Sequence, residues 1–157
     1  MPTIVRPSTL TVTIAEQIEL HSRSFNARNQ VTFPGISEIS TRIVSTTGTG
    51  STEILRFASS ASAGQFINSS VRYVRITNLD DTNFATLRFT GSGSTDYAFR
   101  LDPEGSHIIQ ATLPSGSANV GVTKYADISG VTLTDLETVA ATANSASVDL
   151  ELFVASV

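Results

Sequence analysis

The chain has no cysteine and no tryptophan, a single methionine, and only 15% charged residues over 157 positions. Without cysteine there is neither a disulfide framework nor a thiolate metal site, and the absence mildly favours an intracellular origin. Histidine is scarce too: His21 and His107 lie far apart, and neither has a metal-ligand companion at i+2 or i+4. A zinc site would have to be assembled by the fold from distant residues. No stretch approaches the ~20 apolar residues of a membrane-spanning helix. Residues Met1 to Pro7 lack the basic and apolar regions of a secretory signal. A net charge of −4 and a pI near 5.0 provide no broad cationic field for phosphate backbones. Neither nucleic acid nor membrane is an expected partner.

Catalytic motifs are missing in the same way. There is no G-x-S-x-G elbow, so abundant serine does not amount to a nucleophile with a base. Thr47 to Ser51 and Gly91 to Ser94 are glycine-rich, but neither leads into Gly-Lys-Ser/Thr and a helix, as a phosphate loop must. They read as hairpin loops. Asp80-Asp81-Thr82-Asn83 lacks the longer ligand series and closing glutamate of a calcium loop, and reads as a turn whose side chains hold their own backbone. Asn68-Ser69-Ser70 matches a glycosylation acceptor, a chance match without a secretory signal. No enzyme, cofactor or metal is expected.

What the chain does have is hydroxyl residues and alternation. Serine and threonine together make up roughly a quarter of it, above the ordinary share of small polar residues. Three period-two runs fill the middle, Val71 to Leu79, Phe84 to Thr90 and Tyr97 to Leu101, separated by short turns, a β-hairpin signal. Upstream, Leu10, Val12, Ile14, Ile18 and Leu20 share one parity, interrupted at Glu16, and predict a half-buried strand with a bulge near Glu16. Phe25 to Phe33 is a weaker strand closed by a Pro34-Gly35 turn. Ile39 to Thr46 and Thr52 to Ala58 flank Thr47 to Ser51 as a hairpin, and residues 59–70 read as a loop. Ser106 to Ala111 and Asn119 to Ala126 are further strands. Thr134 to Glu137 matches a helix capping box, but the threonine and valine content of residues 134–143 leans toward strand. Val148, Leu150, Leu152 and Val154, alternating with Asp149, Glu151 and Phe153, form the cleanest strand.

Roughly nine or ten strands with polar turns in one domain predict an all-β sandwich of jelly-roll type, with a barrel as the competitor. The expected organisation is an arm over residues 1–8 and one domain over residues 9–157. If the three central runs form a meander, Val74 faces Leu87 and Phe99, and Ile76 faces Ala85 and Leu101. The opposite face then carries Tyr73, Arg75, Arg88 and Arg100. Arginine's fixed fork suits such a face to carboxylates at an interface, although solvated strand arginines look the same in sequence. If consecutive strands switch sheets instead, the meander register fails. Arg6 in the arm, and Phe153 on the polar parity of the last strand, complete the candidate partner-binding residues.

Val71 to Leu79, the Phe84 to Phe89 strand, the Leu101-Asp102-Pro103-Glu104-Gly105-Ser106 turn and the closing Ala146 to Ala155 segment resemble small β-sandwich structural proteins of tailed bacteriophages. The likeness covers about half the chain, from Val71 onward, and lies in the style and order of segments. It implies a capsid decoration or cement protein, made in the host cytoplasm and carried on the virion. It further implies a homo-oligomer, a trimer, whose partner is the major capsid protein. A tail or fibre subunit, or a carbohydrate-binding module recognising a host surface, is the alternative. The resemblance implies no catalytic residues.

Overall fold

The computed structural model describes residues 6–92, 95–110 and 135–157. Within them the chain is all-β, with eleven strands: β1 (Ser8–Leu20), β2 (Arg23–Ile36), β3 (Glu38–Thr46), β4 (Thr52–Ala58), β5 (Phe66–Ile67), β6 (Val71–Asn78), β7 (Ala85–Gly91), β8 (Thr95–Leu101), β9 (Ser106–Gln110), β10 (Leu136–Ala143) and β11 (Val148–Ser156). Residues 136–143 are strand, as their β-branched content leans. The 119–126 strand expected from the sequence lies outside the described residues.

Two sheets face each other, a five-stranded one in the order β5-β4-β10-β7-β8 and a four-stranded one in the order β3-β11-β6-β9. Between them lies one apolar core. Ile54, Leu55 and Phe57 of β4, Leu87 and Phe89 of β7 and Val139 of β10 meet Val74 and Ile76 of β6 and Leu150 and Leu152 of β11. Alternation puts every second side chain on one face, and at β4 a register shift against β10 lets the consecutive Ile54 and Leu55 both be buried. Burying such a side chain contributes roughly 1.5–3 kcal/mol. Threonine 46, also fully buried, joins the sheets by donating its hydroxyl to the Ala141 carbonyl at 2.9 Å.

Two pairings differ from the sequence expectation. β3 and β4 are not a hairpin: they lie in opposite sheets, and residues 47–51 carry the chain across. That crossing is tied to the end of β10 by the Ala143 amide donating to the Thr47 carbonyl at 3.1 Å. A side chain at Gly48 would lie 2.9 Å from the Ser145 carbonyl oxygen, so the close approach requires glycine there. The three-strand meander also fails. β7 and β8 do pair, with Leu87 opposite Phe99 and Ala85 opposite Leu101, but β6 sits in the other sheet between β11 and β9.

The remaining sheet is a long hairpin. β1 and β2 pair in regular register from Leu10 opposite Phe33 to Leu20 opposite Arg23, closed by His21 and Ser22 at φ 50° and 60°. Two successive positive φ values make the tight turn whose twist matches the flanking strands. No bulge occurs at Glu16, which pairs with Ala27. The irregularity falls at the root, where Ser8 opposes Ile36 and Leu10 opposes Phe33. Pro34-Gly35 is therefore not a turn; it supplies an extra residue within β2, with Gly35 at φ 78°.

The hairpin root covers the outer face of the four-stranded sheet. Phe33 and Ile36 pack on Tyr73 and Ala155, flanked by Leu10, Val12, Val31, Ile108 and Phe153, forming a second core separate from the first. This explains why Tyr73 and Val74, and likewise Val154 and Ala155, are buried in succession. At those places the sheet has cover on both faces.

Candidate interaction surface

Of the six residues expected to touch a partner, the fold brings three together. Tyr73 on β6, opposite Ala155, and Phe153 on β11, opposite Arg75, are diagonal neighbours across the strands and meet edge to face, their ring centroids 5.9 Å apart. Tyr73 also meets Phe33 of the hairpin root at 5.9 Å. Arg75, two residues along β6, places its guanidinium 5.9 Å from the Phe153 ring and pairs with Glu151 at 2.9 Å. These side chains and residues 10–13 of β1 line a cleft of about 270 Å³ where the hairpin leaves the sheet. Burial pushes the Tyr73 phenol above its ordinary value, with Arg75 opposing it, so the ring stays neutral across the physiological range. The cleft thus offers aromatic surface, one cation already matched by a carboxylate, and no activated nucleophile. It is suited to contact.

Arg88 and Arg100 lie on the outer face of the five-stranded sheet, on the far side of the sandwich from Arg75. The four-residue face expected from the meander therefore does not exist, because β6 and β7 belong to different sheets. Arg100 is held within its own chain, 4.1 Å over the Phe84 ring and 2.6 Å from the Asp102 carboxylate. Arg6 is exposed just before β1. Phe153 is partly buried against the hairpin root.

Polar clusters elsewhere serve the fold. Buried Asn78 donates from Nδ2 to the carbonyls of Asn83, Leu101 and Asp102 at 2.9, 3.3 and 3.2 Å, and its Oδ1 accepts from the Asp80 amide at 2.9 Å. One side chain thereby ties the end of β6 to two turns. Asp80 accepts from the amides of Thr82 and Asn83 at 2.8 and 2.5 Å. Those two bonds hold its carboxyl below the usual range, as expected of a turn that binds its own backbone. His107 of β9 lies between Phe89 and Phe99, at ring-centroid distances of 5.1 and 4.6 Å, closing the edge of the sandwich between β8 and β9. Burial lowers its pKa below the usual histidine value. A second cleft, of about 390 Å³, runs beside β4 and β10. Its Arg56 is engaged by Glu53 at 2.7 Å, a hydrogen bond that lowers the Glu53 carboxyl. Among the described residues no group of three His, Cys, Asp or Glu side chains could hold a metal ion.

The surface that sequence reasoning missed is the outer half of the hairpin. All its large apolar residues lie on one face: Ile14, Ile18 and Leu20 from β1 with Phe25 from β2, joined there by Ala27. The root of this stripe is covered, but beyond it Ile18, Leu20 and Phe25 are 56%, 53% and 54% exposed. The signal was the shared parity from Leu10 to Leu20. What it could not convey was that the supporting sheet ends halfway along the strand. No protein-family model matches the chain, and no curated protein matches it.

Proposed function

We propose that the chain is a structural virion protein of a tailed phage, a decoration or cement protein that binds the assembled capsid as an oligomer and stabilises it. The observation that carries this is the hairpin arm: an apolar face extended beyond the sandwich, on a body whose described polar clusters all maintain its own turns and edges. Apolar surface of that extent on a small domain marks an interaction site. Binding several capsid subunits at once makes modest contacts collectively tight. The resemblance of residues 71–155 to phage β-sandwich proteins supplies the partner class, and the arm and the Tyr73–Arg75–Phe153 cleft supply surfaces for it.

The carbohydrate-binding alternative is less well supported. Of the tyrosines on which a sugar ring could stack, Tyr73 is buried and Tyr97 stacks on Phe89 at 4.8 Å, and Tyr125 lies outside the described residues; the exposed ring of Phe25 sits in the apolar stripe with Ile18 and Leu20 and has no hydroxyl to bond a sugar. The test is co-sedimentation of purified protein with assembled capsids, beside an Arg75→Glu/Arg88→Glu variant. Saturable pelleting reduced in the variant supports capsid binding through these faces. Pelleting unchanged by the variant removes the arginines from it, and no pelleting overturns the proposal.

A further inference from the structure

We infer that the distal half of the β1–β2 hairpin pairs face to face with the same segment of a second copy of this chain, the two arms running antiparallel about a two-fold axis at the level of Ile18 and Phe25. This deepens the oligomeric part of the proposed function and rests on it only there; pairing requires no capsid.

Four observations lead to a second copy. The first is that a two-stranded ribbon alone is at best marginally stable in water, yet this one runs in regular register to its tip. The second is the sidedness of the arm. The face opposite the apolar stripe carries Thr13, Gln17, Asn26, Arg28 and Gln30, with Arg28 donating to Gln30 at 3.2 Å and Ser24 to Asn26 at 3.4 Å. One face is made for water and the other is not.

The third is area. The exposed parts of Ile18, Leu20 and Phe25, the large apolar side chains inside the overlap, amount to roughly 350 Å² per arm, so about 700 Å² across two copies before Glu16, Ala27 and Arg23 are added; this is a small interface beside the ~1,200 Å² at which standard ones begin. Reciprocal contact is what doubles it, because in a two-fold interface the same patch serves both partners.

The fourth observation, charge, selects the direction. Two ionic residues interrupt the apolar face: Glu16, opposite Ala27, and Arg23, opposite Leu20. They sit four residues apart along the arm, about 14 Å at strand rise, with the Ile18–Phe25 pair midway. If two arms stack antiparallel about that midpoint, the Glu16–Ala27 level of one lies over the Leu20–Arg23 level of the other. Each glutamate then meets an arginine, and small Ala27 leaves room for the long arginine stem. Parallel stacking instead sets Glu16 against Glu16, a like-charge contact that disfavours it. The pairing buries Phe25 and Ile18 of both copies at the centre and closes the two ends with ion pairs.

The test is sedimentation equilibrium of the full-length chain from about 1 to 100 μM, where twice the 16.6 kDa chain mass is expected. Phe25→Glu should leave the chain monomeric, with an unfolding midpoint equal to that of the parent at dilutions where the parent too is monomeric, since Phe25 touches neither core. Glu16→Arg and Arg23→Glu, made singly, should each weaken association roughly tenfold, because each creates two like-charge contacts per dimer. The double swap should restore it to within about threefold of the parent, a rescue that only this register provides. A monomeric or trimeric parent overturns the inference, as does a dimer indifferent to Phe25→Glu. A dimer sensitive to Phe25→Glu but not rescued by the double swap places the arm on another surface of the second copy, and also overturns it. The capsid assay keeps the two proposals apart: a dimer that ignores capsids sinks that function and leaves the pairing, whereas a monomer that pellets with them does the reverse.

Discussion

The arm and the sandwich are written in the same alphabet, apolar residues alternating with mostly polar ones, yet they end in opposite states. In the sandwich, Leu87, Leu150 and Val148 are fully buried, and the alternation has become a core shared by two sheets. In the arm, the same alternation from Leu10 to Leu20 is covered at its root and exposed beyond it. Alternation therefore sets which side chains share a face, and says nothing about what the face will meet. In one region the chain supplies its own cover. In the other it stops supplying it partway along a single strand.

The sharpest way to break this comparison is to make the same kind of deletion in both regions. Leu150→Ala, at the centre of the four-stranded sheet, should destabilise by about 2–5 kcal/mol in urea unfolding, through lost burial and a residual cavity. Ile18→Ala on the distal arm should change the monomer's stability by less than about 0.5 kcal/mol, as for other exposed positions. A large effect at Ile18 in the monomer would mean that the arm folds back on its own sandwich. Next in size is Asn78→Ala. It strands three carbonyls and an amide in and near the core, and should cost about 2–3 kcal/mol. That variant would show that the sandwich depends on a polar clamp where the arm depends on nothing comparable.

The smallest effect expected is the response to acid. The folded pKa of His107 lies below its unfolded value of about 6.5, so the unfolded chain binds the proton more readily. The stability gained from neutral His107 is complete above pH 6.5 and declines as pH falls through that value toward the folded one. Thermal unfolding followed from pH 7.5 to 5.5 should show this decline, and His107→Phe should flatten it. An equal slope in the variant would assign the titration elsewhere.

The limits of the sequence are visible in particular residues. Strand positions followed from period two, and the β7–β8 register followed from the short Gly91–Ser94 connection, which leaves two adjacent runs little choice but to pair. The placement of β3 and β4 in opposite sheets did not follow, because residues 47–51 are as able to cross between sheets as to reverse a strand. β6 was misplaced because its true neighbour, β11, lies some seventy residues downstream, and alternation carries no address. The β1–β2 hairpin was hidden by its turn: His21-Ser22 adopts positive φ without the Asn-Gly or Gly signature that announces such turns. Tyr73 and Arg75 were grouped with Arg88 and Arg100 through the meander, and Phe153 was read apart from them; in the fold Tyr73, Arg75 and Phe153 share a face through the β6–β11 pairing. Asn78 stood in plain view within an apolar run, but a buried amide is recognisable only when the carbonyls around it are known.

The central place of β11 has a consequence for how the molecule comes into being. It is flanked on one side by β3 and on the other by β6, both of which precede it in the chain by many residues. During synthesis the β1–β2 hairpin can form at once, from neighbours in sequence, whereas β3 and β6 must wait with open edges until the strand that joins them emerges. The part of the protein that is least protected when mature is thus the first that can be finished, and the best-buried sheet is the last.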